Sequence, residues 1–123
     1  MKEIEVLLGK TISNIEIAAD KSEILFTTSE GEQYKMFHYQ DCCEGVTVED
    51  VIGDISDLIG VPILMADEII SEENPEGIVK EYQESFTWTF YKLATIKGYV
   101  TIRWYGESNG YYSEGVSFEK VNE

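Results

Sequence analysis

Two runs near the C-terminus constrain the fold of this chain more than any other feature. Residues 86–96 read FTWTFYKLATI and residues 99–106 read YVTIRWYG, with Lys97-Gly98 between them. Aromatic and β-branched side chains suit a pleated strand, and a Gly-containing dipeptide between two such runs is a hairpin signal. With Lys97-Gly98 as a two-residue turn, Ile96 faces Tyr99, Lys92 faces Arg103 and Phe90 faces Tyr105. Alternation then puts Trp88, Phe90, Lys92, Tyr99, Arg103 and Tyr105 on one face, and Tyr91, Leu93, Ile102 and Trp104 on the other. A third run, YYSEGVSFEKV, comes after the turn dipeptide Asn109-Gly110 and is expected to extend the hairpin into a three-strand meander.

The N-terminal half repeats the pattern. Ile12, Ile15 and Ile17, then Ile24 and Phe26, then Tyr34, Met36 and His38 read as three strands, turned near Ala19-Asp20-Lys21 and Ser29-Glu30-Gly31-Glu32. Residues 2–9 (KEIEVLLG) fit an alternating strand and a helical stripe equally. After the 40–45 turn comes VTVEDVIGD, and Ile55, Leu58 and Ile59 then match one helical turn closed by Gly60. Pro62 opens an extended run to Ile70, and residues 71–77 form a polar loop. The expected architecture is an α+β single domain over residues 1–123, predominantly an antiparallel β meander with one or two short helices, the middle one packed on the sheet.

Charge narrows the functional classes. Among 123 residues, 24 Asp and Glu oppose 9 Lys and Arg, for a net charge of −15. Affinity for a phosphate backbone comes mainly from Lys and Arg displacing counterions, so direct nucleic-acid binding is disfavoured. An acidic surface keeps a protein soluble, and it also complements a basic site on a partner, including one that binds nucleic acid. No run approaches the roughly 18 apolar residues of a membrane helix. The start, Met1-Lys2-Glu3-Ile4-Glu5, lacks the apolar region of a signal peptide, so a cytoplasmic location is expected. The two cysteines, Cys42 and Cys43, are adjacent and are expected as reduced thiols.

Three constellations bear on chemistry. In HYQDCCE, residues 38–44, the only histidine lies near both thiols, the minimum for a cysteine nucleophile with an imidazole base using Cys42 or Cys43 with His38. The carboxylates of Asp41, Glu44, Glu49 and Asp50 oppose thiolate formation, and adjacent cysteines lack the spacing of a zinc site. A second set, Glu44, Glu49, Asp50, Asp54 and Asp57, forms the candidate acidic face for a basic partner, without the calcium-loop pattern that would predict a metal. A third, Lys92 and Arg103 with Trp88, Tyr105, Asn109 and Tyr111, is the candidate site for an anionic nucleotide, its base on the rings and its phosphates on the cations. The same groups also make ordinary cross-strand pairs. No cofactor or metal motif and no phosphate-binding or hydrolase signature occurs, so no catalytic residue is assigned.

Asp41-Cys42-Cys43-Glu44, Val48-Glu49-Asp50, Pro62-Ile63-Leu64 and the run RWYGESNGYYSE from Arg103 onward are long and distinctive. On these segments the chain resembles a family of small uncharacterised phage and bacterial proteins described as a domain of unknown function. The resemblance covers nearly the whole chain and assigns no catalytic or binding residue. It implies a phage or prophage association, which together with the −15 net charge and the missing catalytic signatures leads to the expectation of a small acidic, non-enzymatic protein in the host cytoplasm. Such a protein would inhibit a host defence system by masking a basic surface, or act as a sponge for an anionic nucleotide. A homo-oligomer formed through strand edges is a further expectation.

Overall fold

The computed structural model describes residues 3–80 and 83–121. Among these residues, eight strands form two antiparallel four-stranded sheets packed face to face. The first holds β1 (Ile12–Ile17), β2 (Glu23–Thr28), β3 (Gln33–Phe37) and β8 (Ser117–Val121) in that spatial order. The second has the order β4-β7-β6-β5, from β4 (Gly45–Ile52), β5 (Met65–Ser71), β6 (Ser85–Thr95) and β7 (Gly98–Ser108). Strict alternation explains the layering: Ile24, Phe26, Tyr34, Met36 and Phe118 point inward from one sheet, and Val46, Val48, Leu93, Ile102 and Trp104 from the other. Trp104 is fully buried, and its indole Nε1 donates to the Met36 sulfur at 3.1 Å, joining the two sheets.

The expected α+β class is corrected to mainly β, because no α-helix occurs among the described residues. Ile55–Leu58 is a single 3₁₀ turn, capped by Asp54, whose side chain accepts the Ser56 N–H, and Ile59 leaves it in an extended conformation. Its apolar spacing mimics a helix, but Gly60 at φ +91° and Pro62 stop propagation, and one turn fixes too much backbone for one hydrogen bond to persist alone. The ambiguous N-terminal run is neither strand nor α-helix: Glu3–Leu7 is also a 3₁₀ turn, burying Ile4 and Leu7. Lys2 of that run lies outside the described residues.

The C-terminal meander differs in two ways from its sequence expectation. The hairpin turn is Ile96-Lys97, so Thr95 faces Gly98, Lys92 faces Thr101, and Phe90 faces Arg103. Thr95 explains this choice: its hydroxyl accepts the Lys97 N–H at 3.0 Å and donates to the Asp57 carbonyl, while Lys97 Nζ donates to the Ile59 carbonyl at 2.7 Å. A two-residue slip preserves side-chain parity, so the two faces keep the expected residues. The third run does not extend this sheet. β8 crosses to the first sheet and pairs with β3, because both edges of β7 are already taken by β4 and β6. The crossing passes over Gly106, where a Cβ would collide with the Glu114 carbonyl oxygen.

Candidate functional site

His38 lies just past the end of β3, and the 38–44 turn brings Glu44 back to it. Both side chains are buried, and His38 Nε2 lies 2.7 Å from Glu44 Oε2. The other ring nitrogen, Nδ1, lies 2.7 Å from the Gly115 carbonyl oxygen, which can only accept. Glu44 also accepts the Asp41 N–H at 2.8 Å and the Cys42 N–H at 2.9 Å, contacts that favour the carboxylate form. Gly115 therefore places a proton on Nδ1, and Nε2 is the ring atom that meets Glu44. Beside it the Glu44 carboxyl is held down at about 2: the His38 hydrogen bond outweighs the upward push of burial, with the Cys42 and Asp41 N–H groups adding to it.

This placement corrects two expectations. Glu44 does not belong to an exposed acidic face. It is an interior anchor tying the 40–45 turn to the segment before β8. Cys42 and Cys43, expected as reduced thiols, are joined as a vicinal disulfide at the exposed tip of that turn. The imidazole is engaged by Glu44 and Gly115 at both nitrogens, so it is not positioned as a base for a thiol.

The pair makes stability depend on pH. Because the folded-state value of Glu44 lies below its ordinary value near 4.5, its contribution to stability is complete above that value. That contribution is lost as pH falls from about 4.5 toward 2. Urea unfolding measured across this window should show a smaller acid-induced loss in Glu44→Gln than in the native protein. Equal slopes would mean that His38 and Glu44 are not paired.

The outer face of the second sheet carries the cationic and aromatic residues singled out in the sequence, and the chain itself already engages most of them. Arg103 Nε donates to Glu49 at 2.6 Å, its Nη2 lies 3.8 Å from Asp50, and its guanidinium stands 5.4 Å from the Trp88 ring centre. Trp88 is fully buried although it points away from the main core. Its Nε1 donates to Asn74 Oδ1 at 3.0 Å, and Gln83 exchanges two amide hydrogen bonds with Asn74 and donates to the Tyr105 hydroxyl at 2.7 Å. Lys80 sits 4.5 Å from the Tyr105 ring centre. Lys92 is exposed opposite Asp67 and Thr101, two residues along β6 from Phe90, the partner of Arg103. Asn109 accepts the Tyr111 N–H within the β7–β8 connection, and Tyr111 projects into solvent.

The remaining acidic residues divide by task. Glu49 and Asp50 clamp Arg103 across the β4 bulge, and Asp54 caps the 3₁₀ turn. Asp57 lies within that turn, its carboxylate against Gly98. Asn74, Gln83 and Glu114 carry no sequence signal for their positions. Glu114 is buried and accepts hydrogen bonds from Thr87 and Ser108. Burial pushes its carboxyl up, but hydroxyl donors led by Ser108 prevail and hold it below the usual value. No helix among the described residues is long and apolar enough to cross a membrane.

The family described as a domain of unknown function (DUF7448) matches residues 5–118, all eight strands except the end of β8. The chain belongs to the DUF7448 family. Neither a curated protein nor a solved structure matches it. The DUF7448 match spans both sheets, the buried His38–Glu44 pair and the Trp88–Arg103 face, so these features lie within the family region.

Proposed function

We propose that this DUF7448 domain is a non-catalytic binding protein whose carboxylates engage a basic surface on a partner protein. The supporting observation is where its own cations go. Lys10 and Lys120 both reach Glu32, at 2.9 and 3.5 Å, Lys35 lies 3.8 Å from Glu23, and Arg103 is held by Glu49 and Asp50. With 24 acidic against 9 basic residues, the charge left for a partner is strongly negative. The groups needed for thiol chemistry are engaged with one another or with the backbone, which supports binding over turnover. Arg103, the strongest anion ligand of the nucleotide alternative, is already neutralised by two carboxylates. Given the resemblance to phage proteins, the partner is a host-defence protein in the host cytoplasm, whose nucleic-acid-binding surface the domain masks.

The immobilised domain should retain basic proteins from a host lysate at about 10 mM salt, where the screening length is about 30 Å. It should release them near 150 mM, where that length is about 8 Å. A retained partner's nucleic-acid binding should fall as free domain is added. Retention that is absent, or indifferent to salt, overturns the proposal.

A further inference from the structure

We infer that Cys42 and Cys43 form a reversible thiol–disulfide exchange site, reduced by a dithiol, whose opening loosens the turn that holds Glu44 inside. The inference goes beyond the binding function above and is tested separately from it. The bridge joins neighbours in sequence, and the chain has no other cysteine. A disulfide that stabilises a fold does so mainly by closing a long loop of chain, whereas this one ties no distant segments together. Both cysteines are exposed, and Cys43 lines an open depression of about 470 Å³ with Glu84, Glu107 and Asn109, so a small thiol reaches the bridge from solvent. Exposed bridges are the labile ones, while structural bridges resist reduction.

What the bridged residues hold gives the exchange a consequence. The Cys42 and Asp41 N–H groups donate to the two oxygens of the Glu44 carboxylate, at 2.9 and 2.8 Å. The Gln40 side chain donates to the Cys42 and Glu44 carbonyls, at 3.2 and 2.7 Å. Covalent closure of the 42–43 pair restricts the backbone that presents these groups. Opening it returns conformational freedom, which opposes keeping both N–H groups on Glu44. The same carboxylate meets His38, whose other nitrogen lies on the Gly115 carbonyl, so the bridge stands at one end of a series of contacts reaching the segment before β8.

The exchange balances with the dithiol as its one co-reactant. A thiolate of the dithiol attacks one protein sulfur, the Cys42–Cys43 bond breaks, and a mixed disulfide forms. The released cysteine thiolate takes a proton from water, replacing the one the dithiol gave up. The second thiolate of the dithiol then attacks its own sulfur in the mixed disulfide and leaves as a cyclic disulfide, and the other cysteine is freed and protonated. Two electrons pass to the protein and the dithiol is oxidised. His38 is engaged at both nitrogens, so the attacking thiolate is the reductant's own.

The test treats the whole chain with excess dithiothreitol without denaturant, then alkylates it and measures the intact mass. No label before reduction, two labels after it, and none again after oxidation with diamide are expected. Amide exchange at Asp41 and Cys42 should be about tenfold or more faster in the reduced protein, with the β6–β7 hairpin unchanged. The Cys42→Ser/Cys43→Ser variant should exchange at these positions like the reduced protein and ignore both reagents. A bridge that dithiothreitol does not open, or thiols that diamide does not close, overturns the exchange site. Reversible labelling with unchanged amide exchange, or slow exchange retained in the serine variant, overturns the link to the Glu44 turn.

Discussion

Replacing Trp104 with alanine should lower folding stability by about 3–5 kcal/mol, the range for emptying a large aromatic site in a core. Trp104 lies at the centre of the sandwich, fully buried among Val48, Ile102 and the inward residues of the opposite sheet, with its indole N–H on the Met36 sulfur. Alanine leaves a cavity between two hydrogen-bonded sheets, neither of which can move inward without breaking its own ladder. Domains of this size are stable by about 5–15 kcal/mol, so the variant should melt roughly 10–25 °C lower. Guanidinium and thermal unfolding measure this, with Trp88 left as the fluorescent reporter. Tyr99→Ala, at a side chain 73% exposed on the other face, should change stability by less than about 0.5 kcal/mol. A Trp104→Ala loss under about 1 kcal/mol would contradict a core between two sheets.

Gly106→Ala should cost about 2–3 kcal/mol, the upper part of the range for forcing atoms into a filled space. Gly106 is held from both sides, paired with Val46 of β4 and Thr87 of β6, so β7 cannot yield. The added methyl would meet the Glu114 carbonyl oxygen, and the connection to β8 would have to lift away. Lifting it disturbs the Thr87 and Ser108 hydrogen bonds to Glu114 and the contact of His38 with Gly115. Faster amide exchange across residues 113–117, with the β6–β7 hairpin unchanged, is the expected pattern. Gly115→Ala is the control, since its Cβ would meet only the Ser113 hydroxyl at 3.7 Å. Equal effects of the two substitutions would show that the crossing is not tight at Gly106.

Much of the local structure was legible because it depends on neighbours in sequence. The strands β1 to β3 and their turns fall where alternation and Gly31 place them, and Trp88 and Arg103 share a face as parity requires. The helix expected at Ile55–Ile59 failed for a physical reason: one turn of apolar spacing is common to α and 3₁₀ geometry, and Gly60 and Pro62 leave no room for the second turn that would separate them. The hairpin register slipped by two residues because Thr95 and Lys97 find partners in residues 57 and 59, some 38 positions away. The proximity of His38 to Glu44 was visible, but their burial was not, since it depends on Gly115.

By itself the sequence determined the alternating pattern, hence β structure, and the net charge of −15. Both are sums over local choices and need no knowledge of what packs where. Only the tertiary structure decided which strands share a sheet, that β8 leaves β7 for β3, and that Glu44 lies inside. Those outcomes turn on competition among distant segments for the same strand edges and the same buried volume. That competition is settled by the whole chain at once rather than by any stretch of it.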